Sequence, residues 1–107
     1  MINILLEKLP LWESDPSVAA VVMRGKGGRS FCAGGDIRHL YQAMQRGEIE
    51  HGQDFFNLEY SLIVVMHSMQ TTLLIWGQGY VIGGGMGLLQ GAGLRIATHS
   101  SRLIMPE

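Results

Sequence analysis

Apolar residues recur at helical spacing at the start of the chain. There Ile2, Leu5, Leu6, Leu9 and Trp12 would share one face of a short amphipathic helix. Pro10 falls inside that stretch and is expected to kink the helix or end it early, because proline inside a helix costs about 3 kcal/mol. Ser14-Asp15-Pro16-Ser17 reads as a turn. Val18 to Met23 is a continuous apolar run, which predicts a strand buried on both faces, as in a parallel sheet. Helical spacing returns at Ile37, Leu40, Tyr41 and Met44, with Asp36 placed to cap the helix and Gly47 to close it. The longest helical candidate runs from about Asp54 to Met69. Its stripe is Phe55, Leu58, Glu59, Leu62, Ile63 and Met66, and Val64 and Val65 on the other side predict burial beyond Tyr60. Glu59 breaks the stripe, and an unpaired acid on a buried face is costly.

Thr72 to Trp76 predicts a second buried strand, Met86 to Gln90 a helix, and Leu94–Thr98 and Arg102–Met105 two short strands around a polar turn. The order strand, helix, strand, helix, strand indicates an α/β fold with parallel pairing and shows no internal repeat or linker.

Composition narrows the function. A length of 107 residues suits one ordinary domain. Fifteen glycines are about twice the usual ~7% share, in a chain otherwise rich in apolar residues. Glycine is therefore expected to serve backbone geometry rather than disorder. A net charge of −1 gives no electrostatic basis for binding nucleic acid or an anionic membrane. Cys32 is the single cysteine, so neither an internal disulfide nor a cysteine zinc cage is available. With no signal-peptide pattern and no apolar run near ~20 residues, the expected setting is cytoplasmic.

Two glycine-rich segments, Arg24 to Asp36 and Gly77 to Gly85, each follow a predicted strand and precede a predicted helix. Outward N–H groups at a helix start stabilise an oxygen anion, and glycine lets a ligand approach that backbone. Two such starts converging would form an oxyanion hole; tight turns without a ligand fit either segment alone equally well. Other motifs fail on spacing. Gly77, Gly79 and Gly83 miss the dinucleotide fingerprint by one residue, Arg24-Gly25-Lys26-Gly27 is no P-loop, and there is no nucleophile elbow. His39, His51, His67 and His99 form no metal-ligand pair and read as surface or helix-face residues.

Ser30-Phe31-Cys32-Ala33-Gly34-Gly35-Asp36-Ile37-Arg38 resembles the first oxyanion-hole motif of the enoyl-CoA hydratase/isomerase (crotonase) superfamily. Gly79 to Leu88 resembles the second, and Met105-Pro106-Glu107 the acidic motif that follows. Hydratases of that family carry a catalytic glutamate two residues after the glycine triplet, where this chain has Gly87. Glycine there, with Phe31 to Arg38, is similar to the 3-hydroxyisobutyryl-CoA hydrolase branch of valine degradation. That branch also has a glutamate on its long helix, at a place matching Glu59.

The resemblance implies a crotonase-like ββα spiral and an acyl-CoA substrate, with coenzyme A part of the substrate and no separate cofactor or metal. It places the thioester oxygen on the N–H groups of Gly35 and Gly84, and Ala33 and Ile37 beside the CoA adenine through their backbone. Glu107 is implied as the catalytic carboxylate and Glu59 as a contact for the acyl hydroxyl or the acidic network. Without the resemblance, Glu107 reads as an end residue, Asp36 as a helix cap, and Glu59 as a partner for some basic side chain. Arg24, Lys26 and Arg29 suit either CoA phosphates or an exposed basic loop. Two other functions stay open: another reaction of the same fold, such as hydration or isomerisation, and a noncatalytic CoA-binding or assembly module. Family members are more than twice this length, so residues 1–107 are expected to form an incomplete catalytic domain. Members of the family commonly assemble as trimers or pairs of trimers. The purified 107-residue chain is predicted to be marginally folded or aggregating and to turn over no CoA thioester. Measurable release of free thiol by the chain alone would contradict this.

Overall fold

The computed structural model describes residues 1–106. The first apolar stripe forms α1, Ile2–Ser14, with Leu9 fully buried and Ile2, Leu5 and Leu6 half-buried against the core. Of the two outcomes expected from Pro10, an early end does not occur, since the helix runs on through it to Ser14. Pro10 is solvent-exposed, where water can satisfy the carbonyl that proline leaves without a donor. Beyond it, the Glu13 carboxylate holds the helix end by accepting the N–H groups of Gln70 at 2.7 Å and Thr71 at 2.9 Å. The expected turn then forms around Asp15, whose Oδ1 accepts both the N–H and the hydroxyl of Ser17.

Six strands follow in three pairs: β1 (Ala20–Arg24) with β2 (Ser30–Cys32), β3 (Thr72–Gly77) with β4 (Tyr80–Ile82), and β5 (Leu94–Ala97) with β6 (Arg102–Ile104). Within each pair the strands part company. The odd strands build one parallel sheet in the order β1-β3-β5, the even strands a second parallel sheet in the order β2-β4-β6. This is the expected α/β class with parallel pairing. It also contains a structural repeat that the sequence conceals. The connections differ, with α2 (Ile37–Gln45) and α3 (Ile49–Ser68) after the first pair but only the eight-residue α4 (Gly84–Gly91) after the second. The strands β2 and β4, three residues each, lie inside the glycine-rich segments, too short to show a period of two.

The core joins Leu9 of α1, Leu62 and Met66 of α3, Val21, Leu73 and Ile75 of the first sheet, Val81 of the second, and Leu88 and Leu89 of α4. Two burial expectations fail. Strand β1 is covered on one face only, with Val21 8% and Val22 60% exposed, because all the helices that pack on the first sheet lie on its Val21 side. The other face presents Val22, Trp76 and Leu94 to solvent. Helix α3 begins at Ile49 rather than near Asp54, and Val64 is 68% exposed, since the helix packs through the Leu62–Met66 stripe and leaves its back free. Helix α2 agrees with expectation: Asp36 Oδ1 accepts the His39 N–H at 3.0 Å, and Gly47 follows the helix end with φ +76°. No described helix is long and apolar enough to cross a membrane.

The Thr71 hydroxyl and the N–H groups of Gln70 and Thr71 hold the Glu13 carboxyl below the usual carboxylate range. A carboxyl with a lowered pKa adds stability at neutral pH and loses it as pH falls through its folded pKa. We therefore expect Glu13→Gln to lower the urea midpoint at neutral pH, with the gap from the parent chain closing as the carboxyl range is crossed toward acid.

Candidate functional site

Parallel pairing places the ends of neighbouring strands side by side. Strand β2 pairs with β4 through Ser30–Tyr80 and Cys32–Val81, so the segments leaving both strands emerge at the same edge of the second sheet. From β2 the chain passes through residues 33–36 into α2; from β4 it passes through Gly83 into α4. One glycine in each segment has a positive φ, Gly34 at +95° and Gly83 at +56°. That backbone turn is cheap only for glycine, and it immediately precedes Gly35 in one segment and Gly84 in the other. The Gly83 N–H is fixed by donating to the Ile104 carbonyl of β6 at 2.9 Å. The N–H groups of Gly35 and Gly84 have no hydrogen-bond acceptor among the described residues.

The two segments touch. A methyl group built on Gly34 would lie 3.7 Å from the Gly84 nitrogen, and one built on Gly85 would collide with the Cys32 carbonyl. Gly35, Gly84 and Glu59 line one cavity of about 470 Å³, together with Gly34, Asp36, Cys32 and the apolar side chains Phe55, Leu58, Leu62 and Leu88. Met1, Ile2 and Asn3 complete its wall. Glu59 is half-buried, and its Oε1 occupies the space beside the Gly84 Cα, 2.5 Å from where a β-carbon would sit. No basic side chain forms an ion pair with it among the described residues. The position that interrupts the α3 stripe therefore places its carboxylate in the cavity instead of against a cation.

Three expected site residues thus come together: Gly35, Gly84 and Glu59. Ala33 and Ile37 do not line the cavity; both are exposed, Ile37 by 76%, at the outer side of the first segment. Glu107 lies outside the described residues. Asp36 serves as the α2 cap. The basic loop of Arg24, Lys26 and Arg29 leads into the start of β2, at the opposite end of that strand from the two free donors. Part of it lines a separate cleft with Val22, Trp76 and Gln78. Phe55, Leu58 and Leu62 were not expected in the site. They share the Glu59 face of α3, so their helical spacing carried the signal. All four histidines are exposed, and His39 meets His51 edge-to-face at 5.2 Å across α2 and α3, a contact between elements that spacing within one helix cannot reveal. Among the described residues no cluster of His, Cys, Asp or Glu could hold a metal ion.

Chemically, the cavity offers two main-chain donors at one edge, the Glu59 carboxylate next to Gly84, the Asp36 carboxylate engaged as the α2 cap, and apolar walls. Two helix starts at one point create a positive field suited to a developing oxygen anion, and an apolar surround strengthens it.

A family model described as enoyl-CoA hydratase/isomerase matches residues 1–107. The chain is 38% identical over 107 residues to 3-hydroxyisobutyryl-CoA hydrolase, mitochondrial, of Rattus norvegicus, and 39% identical to probable 3-hydroxyisobutyryl-CoA hydrolase 3 of Arabidopsis thaliana. In both, all of this chain is covered and 28% of the relative, so the chain spans little more than a quarter of these relatives. Among solved structures it matches an enoyl-CoA hydratase from Rhodobacter sphaeroides 2.4.1 with a TM-score of 0.93 and 36% identity, covering 99% of this chain and 32% of that one. A carnitinyl-CoA dehydratase from Mycobacterium thermoresistibile matches with a TM-score of 0.92 and 32% identity, covering 99% and 31%.

Packing predicts different costs for neighbouring glycines. A methyl at Gly85 meets fixed backbone, whereas a methyl at Gly84 meets the movable end of Glu59. Gly85→Ala is expected to destabilise by about 1–3 kcal/mol or more through overpacking, and Gly84→Ala by clearly less. Urea midpoints of the two variants check the order.

Proposed function

The chain belongs to the enoyl-CoA hydratase/isomerase family, and from that premise we propose that it carries the thioester-binding part of a 3-hydroxyacyl-CoA hydrolase site, of the 3-hydroxyisobutyryl-CoA type. The observation that carries this reading is the pair of acceptor-free N–H groups, Gly35 and Gly84, on one cavity that also holds a carboxylate. The thioester carbonyl oxygen takes both donors. Negative charge develops on it as the carbonyl carbon becomes tetrahedral, and each such donor contributes about 2.7–4 kcal/mol to that state. Glu107, the carboxylate that the family resemblance assigns, either takes a proton from the attacking water or attacks the carbonyl carbon itself. The carbon–sulfur bond then breaks, and the CoA thiolate leaves and takes up a proton. Where Glu107 itself has attacked, water then cleaves the resulting anhydride to release the acid and restore the carboxylate. Glu59 accepts a hydrogen bond from the hydroxyl of the acyl group, held between Leu58 and Leu62.

Gly87 favours hydrolysis over hydration. A β-carbon there would meet only Ile63 Cδ1, at an ordinary 3.8 Å, so packing does not require glycine. Its effect is to omit a carboxylate from the place where the resemblance puts the hydratase glutamate. The hydratase reading is supported by the enoyl-CoA hydratase among the similar structures.

Calorimetric titration separates these readings. The hydrolase reading expects a 3-hydroxyacyl-CoA to bind more tightly than the same thioester without its hydroxyl. Glu59→Ala is expected to erase roughly a tenfold preference, the scale of one hydrogen bond to a charged group. Tighter binding of an enoyl-CoA would favour the hydratase reading instead, and equal binding of free CoA and all thioesters would reject both.

A further inference from the structure

The two donors at the cavity are held by different means. Gly84 starts α4, its predecessor Gly83 is bonded to Ile104 of β6, and its successor Gly85 rests against the Cys32 carbonyl. Its N–H is thus fixed on both sides by the second sheet. Gly35 lies in the connection between β2 and α2, where no strand pairs with it. Its carbonyl accepts the Ile37 N–H at 3.0 Å, while its own N–H has no acceptor among the described residues. The neighbour that presses on it is an aromatic side chain from a distant part of the chain. A β-carbon on Gly35 would meet Phe55 Cζ at 2.8 Å, Cε1 at 3.2 Å and Cε2 at 3.7 Å, the three nearest atoms all belonging to that ring.

We infer that Phe55 is a positioning residue: the tip of its ring buttresses the Gly35 peptide and keeps that N–H aimed at the carbonyl oxygen of the thioester. This rests on the proposed oxyanion role of Gly35 and Gly84. The ring is suited to the task. Phe55 sits on the twenty-residue α3, one turn before Glu59, so the buttress and the carboxylate belong to one rigid element. It meets Phe56 edge-to-face with centroids 5.5 Å apart, and Phe56 in turn stacks on Tyr60 at 6.5 Å. Such contacts restrain an aromatic ring beyond simple burial. The absence of a β-carbon at Gly35 is then explained by the ring: the position has no positive φ, and a side chain would push Phe55 or the loop aside.

The contact and its purpose are tested separately. Urea unfolding of Gly35→Ala, Phe55→Leu and the double variant tests the contact without reference to any ligand. The double variant should lose less stability than the two single losses together, because the added methyl occupies the space the ring vacates. Strict additivity would overturn the buttress. The purpose is read from the carbonyl stretch of a 13C-labelled acyl-CoA bound to the parent chain, to Phe55→Leu and to Phe55→Ala, with free CoA affinity measured alongside.

The parent chain should shift the stretch to lower frequency. Both Phe55 variants should lose roughly half of that shift, because the Gly84 donor remains, with free CoA affinity unchanged within about twofold. A full shift in both variants would overturn the positioning role. So would a loss of free CoA affinity matching the loss of shift, which marks general damage. No shift in the parent chain would instead reject the oxyanion reading itself, while the unfolding cycle still decides the contact. If Phe55→Ala does not fold, Phe55→Leu carries the comparison.

Discussion

Parallel pairing of β2 with β4 is the constraint on which the site depends. Both strands are three residues long, and on their own they would be marginal. They hold because the second sheet also includes β6, whose Ile104 carbonyl takes the Gly83 N–H, and because Gly85 lets α4 approach the Cys32 carbonyl without a side chain between them. Once those strand ends are adjacent, the loops leaving them have to meet. Gly34 and Gly83 turn each loop by adopting positive φ, and the next N–H in each is left without an acceptor among the described residues. A sequence distance of about half the chain is thereby reduced to contact.

The electrostatics of the cavity follow from that meeting. Free N–H groups at two helix approaches form a region of partial positive charge. The Glu59 carboxylate lies beside one of them, with no ion-pair partner among the described residues. A carboxylate on an otherwise apolar stripe is costly, and at Glu59 that cost is limited because the residue is only half-buried. The same arrangement suits a ligand with two oxygen functions, a carbonyl for the donors and a hydroxyl for the carboxylate, on a small apolar group. Glu59, the one charged residue on the Phe55–Met66 stripe of α3, is the side chain that would meet such a hydroxyl.

Much of this was legible in the sequence, and what was hidden has physical causes. The Asp36 cap, the closing Gly47 and the parallel α/β order each rest on local chemistry and agree with the structure. Gly35, Gly84 and Glu59 were readable through motif and stripe, and the fold brings them to one cavity. Pro10 does not end α1 early because its cost depends on context, and an exposed position anchored afterwards by Glu13 tolerates it. Val22 and Val64 misled because apolar composition does not say which face is covered. The threefold strand pairing was concealed by unequal connections. The Phe55 contact was concealed because it joins residues twenty positions apart through a glycine, which has no side chain to signal a partner.

If Gly35 and Gly84 donate to one and the same oxygen, both amides must respond together when that oxygen arrives. Backbone amide resonances of the chain, followed by nuclear magnetic resonance while a nonhydrolysable acyl-CoA analogue with an intact carbonyl is added, test it most directly. The Gly35 and Gly84 proton signals are expected to move downfield together, along one saturation curve, with neither change produced by free CoA. Movement of only one of them, or equal movement with free CoA, would contradict it.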